Sequence, residues 1–470
     1  MSMKTFLSAG AGIAIYFSLF SSSLCAQPGS LDMTFNPGSG AGGPIPQIRC
    51  MAVQTNGQII IGGYFTKYNG VNRSHIARLN TDGSLDTSFD PGVGPDDGVL
   101  ALALQPDAKI LIGGHFAFLN DIPWKQPARL RSDGSVDLSF GTSSGGAYSS
   151  AYGIALQADG KVIVGGSFTV SGTNLNQIVR LNTNGTLDVT FLNPSTGIYS
   201  YISTPKAVGL QSNGQIVVGG DFTSINGTPR NYLARLNTGG DVDTSFNALI
   251  QDGNVQNLFV TPQDKIVIGG SFTSINGYSR NQIARLNADG SVDTTFNPGL
   301  GVNGSVSAVA VQTDGKVIVA GQFGQFDGIN CPGLARLNTN GTFDVTFNAG
   351  TGAAYSYSTH GVACVASQPD GKTLIGGSFS SFNGTNINGI ARLNSDASSA
   401  TLNLLNAQVY FGTYLQGTVS NTYRIEYTSK FNAPSLWTPL FNLTLQTNPQ
   451  FILDPNPAGG QRFYRAVALP

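Results

Sequence analysis

The chain has 470 residues, enough for two or three ordinary domains or for one large repeat array with an extra module. Charged residues make up only 11%, against about 25% in a typical globular chain, while the 61 glycines and the many Asn, Ser and Thr residues favour tight turns and short strands over helices. The formal net charge is −1, so no basic field exists to attract nucleic acid.

The first 26 residues read as an export signal. Lys4 is the only early charge, an apolar stretch runs from Phe6 to Phe20, and small residues Ser21, Ser22 and Ser23 precede a cleavage point after Ala26. Leu24 fits that cleavage poorly, so a retained membrane anchor is the rival reading, and the same bulky Leu24 argues against lipid attachment at Cys25. No later segment has the length and apolarity to span a bilayer. Signal removal leaves Cys50, Cys331 and Cys364, an odd number that makes no disulfide framework.

Next comes Gly29-Ser30-Leu31-Asp32-Met33-Thr34-Phe35, a phrase that returns at the end of each of six later units. Those units are part of a sevenfold repeat whose common phrase is IARLN or a near variant. Its arginines are Arg78, Arg129, Arg180, Arg235, Arg285, Arg336 and Arg392, spaced by about 50 to 56 residues, the length of a four-stranded propeller blade. Each unit predicts four strands. Strand A is small and apolar (Val99 to Gln105), and strand B follows a PDGK-type turn and ends in a Gly pair (Lys265 to Gly270). Strand C carries the ARLN phrase, and strand D follows a DG turn (Ser84 to Phe89). The array has seven D phrases and seven A–B–C sets, offset by one element, because the last unit ends at Asn394 with no D phrase after it. A ring in which the N-terminal strand completes the seventh blade accommodates that offset. An open solenoid would need capping repeats.

Within the units, an acid lies eight residues after the arginine: Arg78 and Asp86, Arg129 and Asp137, Arg180 and Asp188, Arg235 and Asp243, Arg285 and Asp293, Arg336 and Asp344. Arg392 meets Ala400 at that offset, which leaves Asp32, from the other end of the chain, as its expected partner. These pairs are expected to be buried ion pairs that fix strand register; a ring of arginines for an anionic ligand is the alternative. The LNTDGSLDTSF, VQTDGKVIVGGSFT and IARLN phrases together resemble the delta-60 repeat of exported bacterial proteins, over about residues 29–394. That resemblance implies a β-propeller and export and carries no common activity.

Residues 395–400 read as a linker, and 401–470 as a small β-sandwich-like module. Its predicted strands are Leu402 to Phe411, Thr422 to Tyr427, Leu440 to Leu445, Phe451 to Leu453 and Arg462 to Ala468, with Trp437 in its core. The segments around Tyr423 to Tyr427 and Arg462 to Val467 are similar to a C-terminal module of other exported bacterial repeat proteins. The fold class is therefore all-β: a seven-bladed propeller closed by an N-terminal strand, plus this module.

Catalytic machinery is not evident. His75, His115 and His360 fall in three units without metal-ligand spacing and read as loop or strand-end residues. GxSxG, HExxH and phosphate-binding loops are missing, and the Asp-Gly pairs sit in hairpin turns rather than in a calcium loop, so no metal and no cofactor is expected. Cys50 and Cys364 share a strand A position on neighbouring blades, where equivalent side chains point the same way round, so free thiols in a crowded site are preferred to a disulfide.

The D-to-A crossovers and B–C loops are expected on one face. Three of the crossovers carry tyrosines: Tyr148 and Tyr152, Tyr199 and Tyr201, Tyr355 and Tyr357. Variable loops on a rigid scaffold carry binding, and Tyr among Ser and Asn suits a glycan or a protein surface. The leading expectation is an exported, non-enzymatic binding protein. The alternatives are a polysaccharide lyase or hydrolase at the propeller face, and a structural cell-surface spacer. The sequence specifies no oligomeric state.

Overall fold

A computed structural model of the chain describes residues 27–124, 126–141, 150–170, 173–191, 204–225, 228–355, 361–396, 412–415, 420–428, 437–444, 446, 450–453 and 463–469. The chain divides into two units, Met1–Ser398 and Ser399–Pro470. All regular elements among the described residues are β-strands, and none of these residues forms a helix long and apolar enough to cross a membrane.

Among the described residues of the first unit, seven three-stranded antiparallel sheets, one per repeat, are ordered inner, middle, outer; smaller sheets lie in the loops. The first sheet is Ile48–Val53, Ile59–Gly63 and Ile76–Leu79; the seventh is Val362–Ser367, Thr373–Gly377 and Ile390–Leu393. Middle strands such as Ile59–Gly63 and Ile110–Gly114 are buried along their whole length. A continuous apolar run suits them because a neighbouring sheet covers each face. The inner strands line one central channel. Ile48–Val53 packs against both Val99–Leu104 and Val362–Ser367, so the first and seventh sheets are neighbours.

The predicted fourth strand is replaced by a single bridge and a turn. Leu79 bridges Leu85, and the same bridge recurs from Leu130 to Val136 and from Leu286 to Val292. The next residue, Asp86, then accepts hydrogen bonds on Oδ1 from the Ser88 amide (2.9 Å) and hydroxyl (2.7 Å). This side-chain turn competes with the ladder and ends it. In the seventh blade the N-terminal segment holds this place: Leu31 bridges Leu393, and the Asp32 amide donates to the Arg392 carbonyl at 2.8 Å.

In six blades the loop between middle and outer strands forms a small hairpin of its own; in the third the two strands, Val162–Val170 and Thr173–Leu181, run on as one long hairpin. In the first blade Lys67–Tyr68 pairs with Val71–Asn72 across Asn69-Gly70, both in left-handed conformation (φ 48° and 78°), as a two-residue type I′ turn requires. In the first blade the loop then enters the outer strand through His75, whose amide donates to Phe65 and whose carbonyl accepts from Gly63. The second blade has Pro127 near this point, and the Gln126 side chain takes over both roles. Its Oε1 accepts from the Gly114 amide (2.6 Å) and its Nε2 donates to the Phe116 carbonyl (2.6 Å).

The seven arginines occupy equivalent sites. Each Nε lies 2.7–2.9 Å from Oδ2 of an aspartate: Asp86, Asp137, Asp188, Asp243, Asp293, Asp344 and, for Arg392, Asp32. The guanidinium lies 4.5–5.0 Å from the ring centre of the phenylalanine that follows (Phe89, Phe140, Phe191, Phe246, Phe296, Phe347, and Phe35 for Arg392). A second nitrogen reaches the next blade. Arg78 donates to the Ser132 carbonyl, Arg129 to Thr183, Arg180 to Thr238, Arg235 to Ala288, Arg285 to Thr339 and Arg392 to Thr81. Arg336 instead meets the Asp396 carboxylate at 2.5 Å. A residue from the turn between inner and middle strands completes each site. Lys161, Lys265, Lys316 and Lys372 lie 2.6–3.0 Å from their aspartates and Lys109 3.6 Å away; Gln58 and Gln215 donate in the first and fourth blades. With an acid on each guanidinium, these arginines are not available as an anion-binding ring.

The second unit contains a three-stranded antiparallel sheet, ordered Thr438–Thr444, Thr422–Thr428, Phe463–Ala468, and a two-stranded pair, Gly412–Leu415 with Gln450–Leu453. Trp437 is half-buried. The predicted strand from Leu402 to Phe411 lies outside the described residues.

Three outcomes test these contacts. Gln126→Ala strands the Gly114 amide and the Phe116 carbonyl in the core and is expected to cost roughly 1–3 kcal/mol in denaturant unfolding. Asp32→Ala leaves a buried guanidinium without its acid at the joint between the chain ends. About 3–5 kcal/mol and a lower Tm are expected; an unchanged melting curve would show that the joint contributes nothing. The third outcome concerns pH. Burial raises the carboxyl pKa values of Asp86, Asp137, Asp243 and Asp344, but hydrogen bonds from Ser or Thr and from Arg or Lys outweigh it and bring all four down to about 2. Asp32, Asp188 and Asp293 are depressed further. Groups with depressed folded pKa values stabilise fully above their unfolded pKa, and the contribution fades as pH falls through the folded value. Stability measured by urea unfolding should therefore hold down to about pH 4 and fall steeply between about pH 4 and pH 2.

Candidate binding site at the channel mouth

All seven inner strands carry a β-bulge at the same place. The pairing of Ile48 with Gly63 and of Cys50 with Gly62 leaves Arg49 as the extra residue, and the same shift leaves Leu100, Tyr152, Lys206, Gln256, Ser307 and Ala363. A bulge re-aims a side chain, and here it turns these residues into the channel. The Gly pair opposite explains why the bulge recurs. A Cβ on Gly63 would lie 2.0 Å from the Gln47 carbonyl oxygen, and one on Gly62 would lie 2.7 Å from Val99 of the next blade. The second glycine is required, because its Cβ would strike a backbone carbonyl; the first meets only side chains, and the sixth blade carries Ala320 there, while the bulged residue is free to change.

The residue after the Gly pair stands at the same end of the channel. These residues include Tyr64, His115, Asp221 and Gln322. The bulged residues, with Tyr64, His115 and Gln322, line a cavity of about 540 Å³, within the ~300–1,000 Å³ range of ligand sites.

Three of these side chains join across three blades. Tyr64 Oη is 2.6 Å from His115 Nδ1, and His115 Nε2 is 3.2 Å from Tyr152 Oη. The His115 and Tyr152 rings meet edge to face at 5.5 Å. Burial lowers the His115 pKa, Asp97 nearby raises it and Arg49 lowers it again. Burial and Asp97 push the Tyr64 phenol up. Across the cavity Lys206 pairs with Asp221 at 2.7 Å and donates to Gln256 at 3.0 Å. Arg49 is half-buried and has no hydrogen-bond or ion-pair partner among the described residues.

His115, expected as a strand-end residue of no particular role, is therefore the centre of this cluster. His75 has its Nδ1 3.1 Å from the Gly63 carbonyl oxygen, and His360 lies outside the described residues. Of the crossover tyrosines, Tyr152 stands at the mouth, and Tyr355 ends the strand Ala353–Tyr355, opposite Phe379. Tyr148, Tyr199, Tyr201 and Tyr357 lie outside the described residues. Cys50, Cys331 and Cys364 are free thiols. Cys364 points to the Ile48 carbonyl and Cys50 to that of Val99, in the same sense round the channel. Among the described residues no three His, Cys, Asp or Glu side chains converge in a way that could hold a metal.

The repeats match one family model seven times, at residues 54–89, 105–140, 157–191, 211–246, 262–296, 312–347 and 368–398. The chain belongs to the DUF5122 β-propeller family, a domain of unknown function. No curated protein matches this DUF5122 chain in sequence. Among solved structures it is similar to the WD40 β-propeller domain of Doa1 (13% identity, 79% of this chain and 96% of that one, TM-score 0.46). It is also similar to virginiamycin B lyase from Staphylococcus aureus (13%, 74% and 94%, TM-score 0.46). A third likeness is to the extracellular domain of the B. thetaiotaomicron protein BT4673 (14%, 76% and 39%, TM-score 0.45), so this chain spans about two fifths of that structure's length.

Proposed function

We propose that this DUF5122 propeller is an exported, non-enzymatic binding protein that takes a glycan at the channel mouth. The observation that carries the reading is the set of bulged and post-glycine residues, Arg49, Tyr64, His115, Tyr152, Lys206 and Gln256, gathered on one cavity by a scaffold that is otherwise repetitive. Aromatic, amide and hydroxyl side chains around a concave site match the mixed apolar and hydroxyl surface of a sugar. The chain emerges from the tyrosine-bearing crossovers at Ser150, Thr204 and Gly361, immediately before the inner strands that line this mouth. Export rests on the Lys4 and Phe6 to Phe20 pattern and on the resemblance to delta-60 repeats.

A second reading, a polysaccharide-active enzyme, is favoured by one feature. An imidazole between two phenols is a path along which a proton can move. Binding without product formation separates the two. On a glycan array the mature chain is expected to select a small set of sugars. Tyr64→Ala and Tyr152→Ala should each weaken selected binding by roughly tenfold or more, the effect of losing a central aromatic anchor. Retention of the selected sugars in both variants would move the site elsewhere, and their cleavage on incubation would favour the enzyme.

A further inference from the structure

The residues lining the cavity include two cations, Arg49 and Lys206, and no carboxylate. Asp221 neutralises Lys206, and Arg49 is left without an ion-pair partner among the described residues. A half-buried guanidinium without a partner is a strong site for a planar anion, because its fork matches a carboxylate through two parallel hydrogen bonds.

The tyrosine–histidine chain adds direction. A neutral imidazole has one N–H and one bare nitrogen. One phenol must therefore donate to His115, while the other accepts from it and keeps its own O–H for an outside partner. A protonated imidazole donates from both nitrogens, and then both phenols have an O–H to give. The groups that face His115 are Tyr64 from the end of the first blade's middle strand, Tyr152 from the third blade's inner strand, Arg49 from the first blade's inner strand, and Asp97 from the segment before the second blade's inner strand. One proton on His115 thus adds a positive charge and a second phenolic donor at the same mouth.

Resting on the reading that a glycan occupies the mouth, we infer that the ligand is an acidic oligosaccharide whose uronate carboxylate pairs with Arg49, and that protonation of His115 tightens its grip. Gln256, Ser305, Ser307 and Gln322 line the rest of the cavity. Their amides and hydroxyls donate and accept, as sugar hydroxyls require, which favours a glycan over an acidic peptide.

The experiment is isothermal titration of the mature chain with three probes: a trigalacturonate, the neutral galactose trimer and hexaglutamate, at about pH 8 and about pH 5. The uronate stays ionised throughout, whereas His115, held below its ordinary value by burial, gains its proton towards the lower end. Trigalacturonate should bind more tightly than the neutral trimer and tighten at the lower pH, by at most roughly tenfold for a one-unit rise of the His115 pKa on binding. Arg49→Ala should abolish the preference for the acidic trimer, and Arg49→Lys should restore it in part. His115→Gln, whatever its affinity, should bind the acidic trimer equally at both pH values; an unchanged melting curve would certify its fold. Equal binding of both trimers, with loss of both in Tyr152→Ala, would overturn this inference and leave the glycan reading intact. Failure of both trimers to bind, or binding of hexaglutamate alone, would overturn both. A tightening that persists in His115→Gln would remove His115 from the switch.

Discussion

The arginine of each ARLN phrase is the interaction on which the propeller depends. Its Nε holds the aspartate that ends its own blade, and a second nitrogen holds the turn of the next blade, so one side chain fixes both the register within a sheet and the seat of its neighbour. A buried guanidinium is costly unless its donors are met, and here an acid, a hydroxyl, a carbonyl and an aromatic face meet them together. Hydrogen bonds from the following Ser or Thr and from the arginine, joined by a lysine at Asp32, Asp188, Asp293 and Asp344, keep these aspartates ionised far into acid. The one departure is informative. At Arg336 the acceptor from the next blade is the Asp396 carboxylate, at the point where the seventh blade has no DG turn to offer its carbonyl.

A second constraint separates scaffold from site. The last glycine of each middle strand leaves room for the carbonyl of the bulged inner strand, a demand met by removing a Cβ, and the residue before it is glycine in six blades and Ala320 in the sixth. The residue displaced by the bulge carries no such demand. Arginine, leucine, tyrosine, lysine, glutamine, serine and alanine occupy that position in the seven blades without disturbing the ladder on either side. The channel mouth can therefore change its chemistry one blade at a time while the core remains a repeat.

This division sets how much could be read from sequence. The sevenfold period, the all-β class and the middle strands were legible, because an apolar run ending in Gly-Gly and a DG turn are local signals with a local cause. The fourth strand was misread: Leu85 and Asp86 alternate like a strand, but the aspartate carboxylate captures the Ser88 amide and turns the chain. The hairpins within the loops, such as Lys67–Tyr68 with Val71–Asn72, are two-residue strands, too short to show alternation. The mouth was legible only as disorder in the repeat. Arg49, Tyr152 and Lys206 are odd residues in otherwise matching phrases, and nothing local says that register turns them inward. Tyr64, His115 and Tyr152 lie on three blades, so their meeting is a property of the assembled ring alone.

The Leu31–Leu393 bridge has a temporal consequence. Synthesis delivers the two halves of that blade about as far apart in time as the array allows. Until the ribosome has supplied residue 393, the segment around Leu31 has no strand to lie against, and the apolar edge of the first blade has no seventh blade beside it. Six blades can stack in order as they appear, yet none of the intermediates has a sealed perimeter. A chain wired in this way closes its perimeter only once its last repeat is in place.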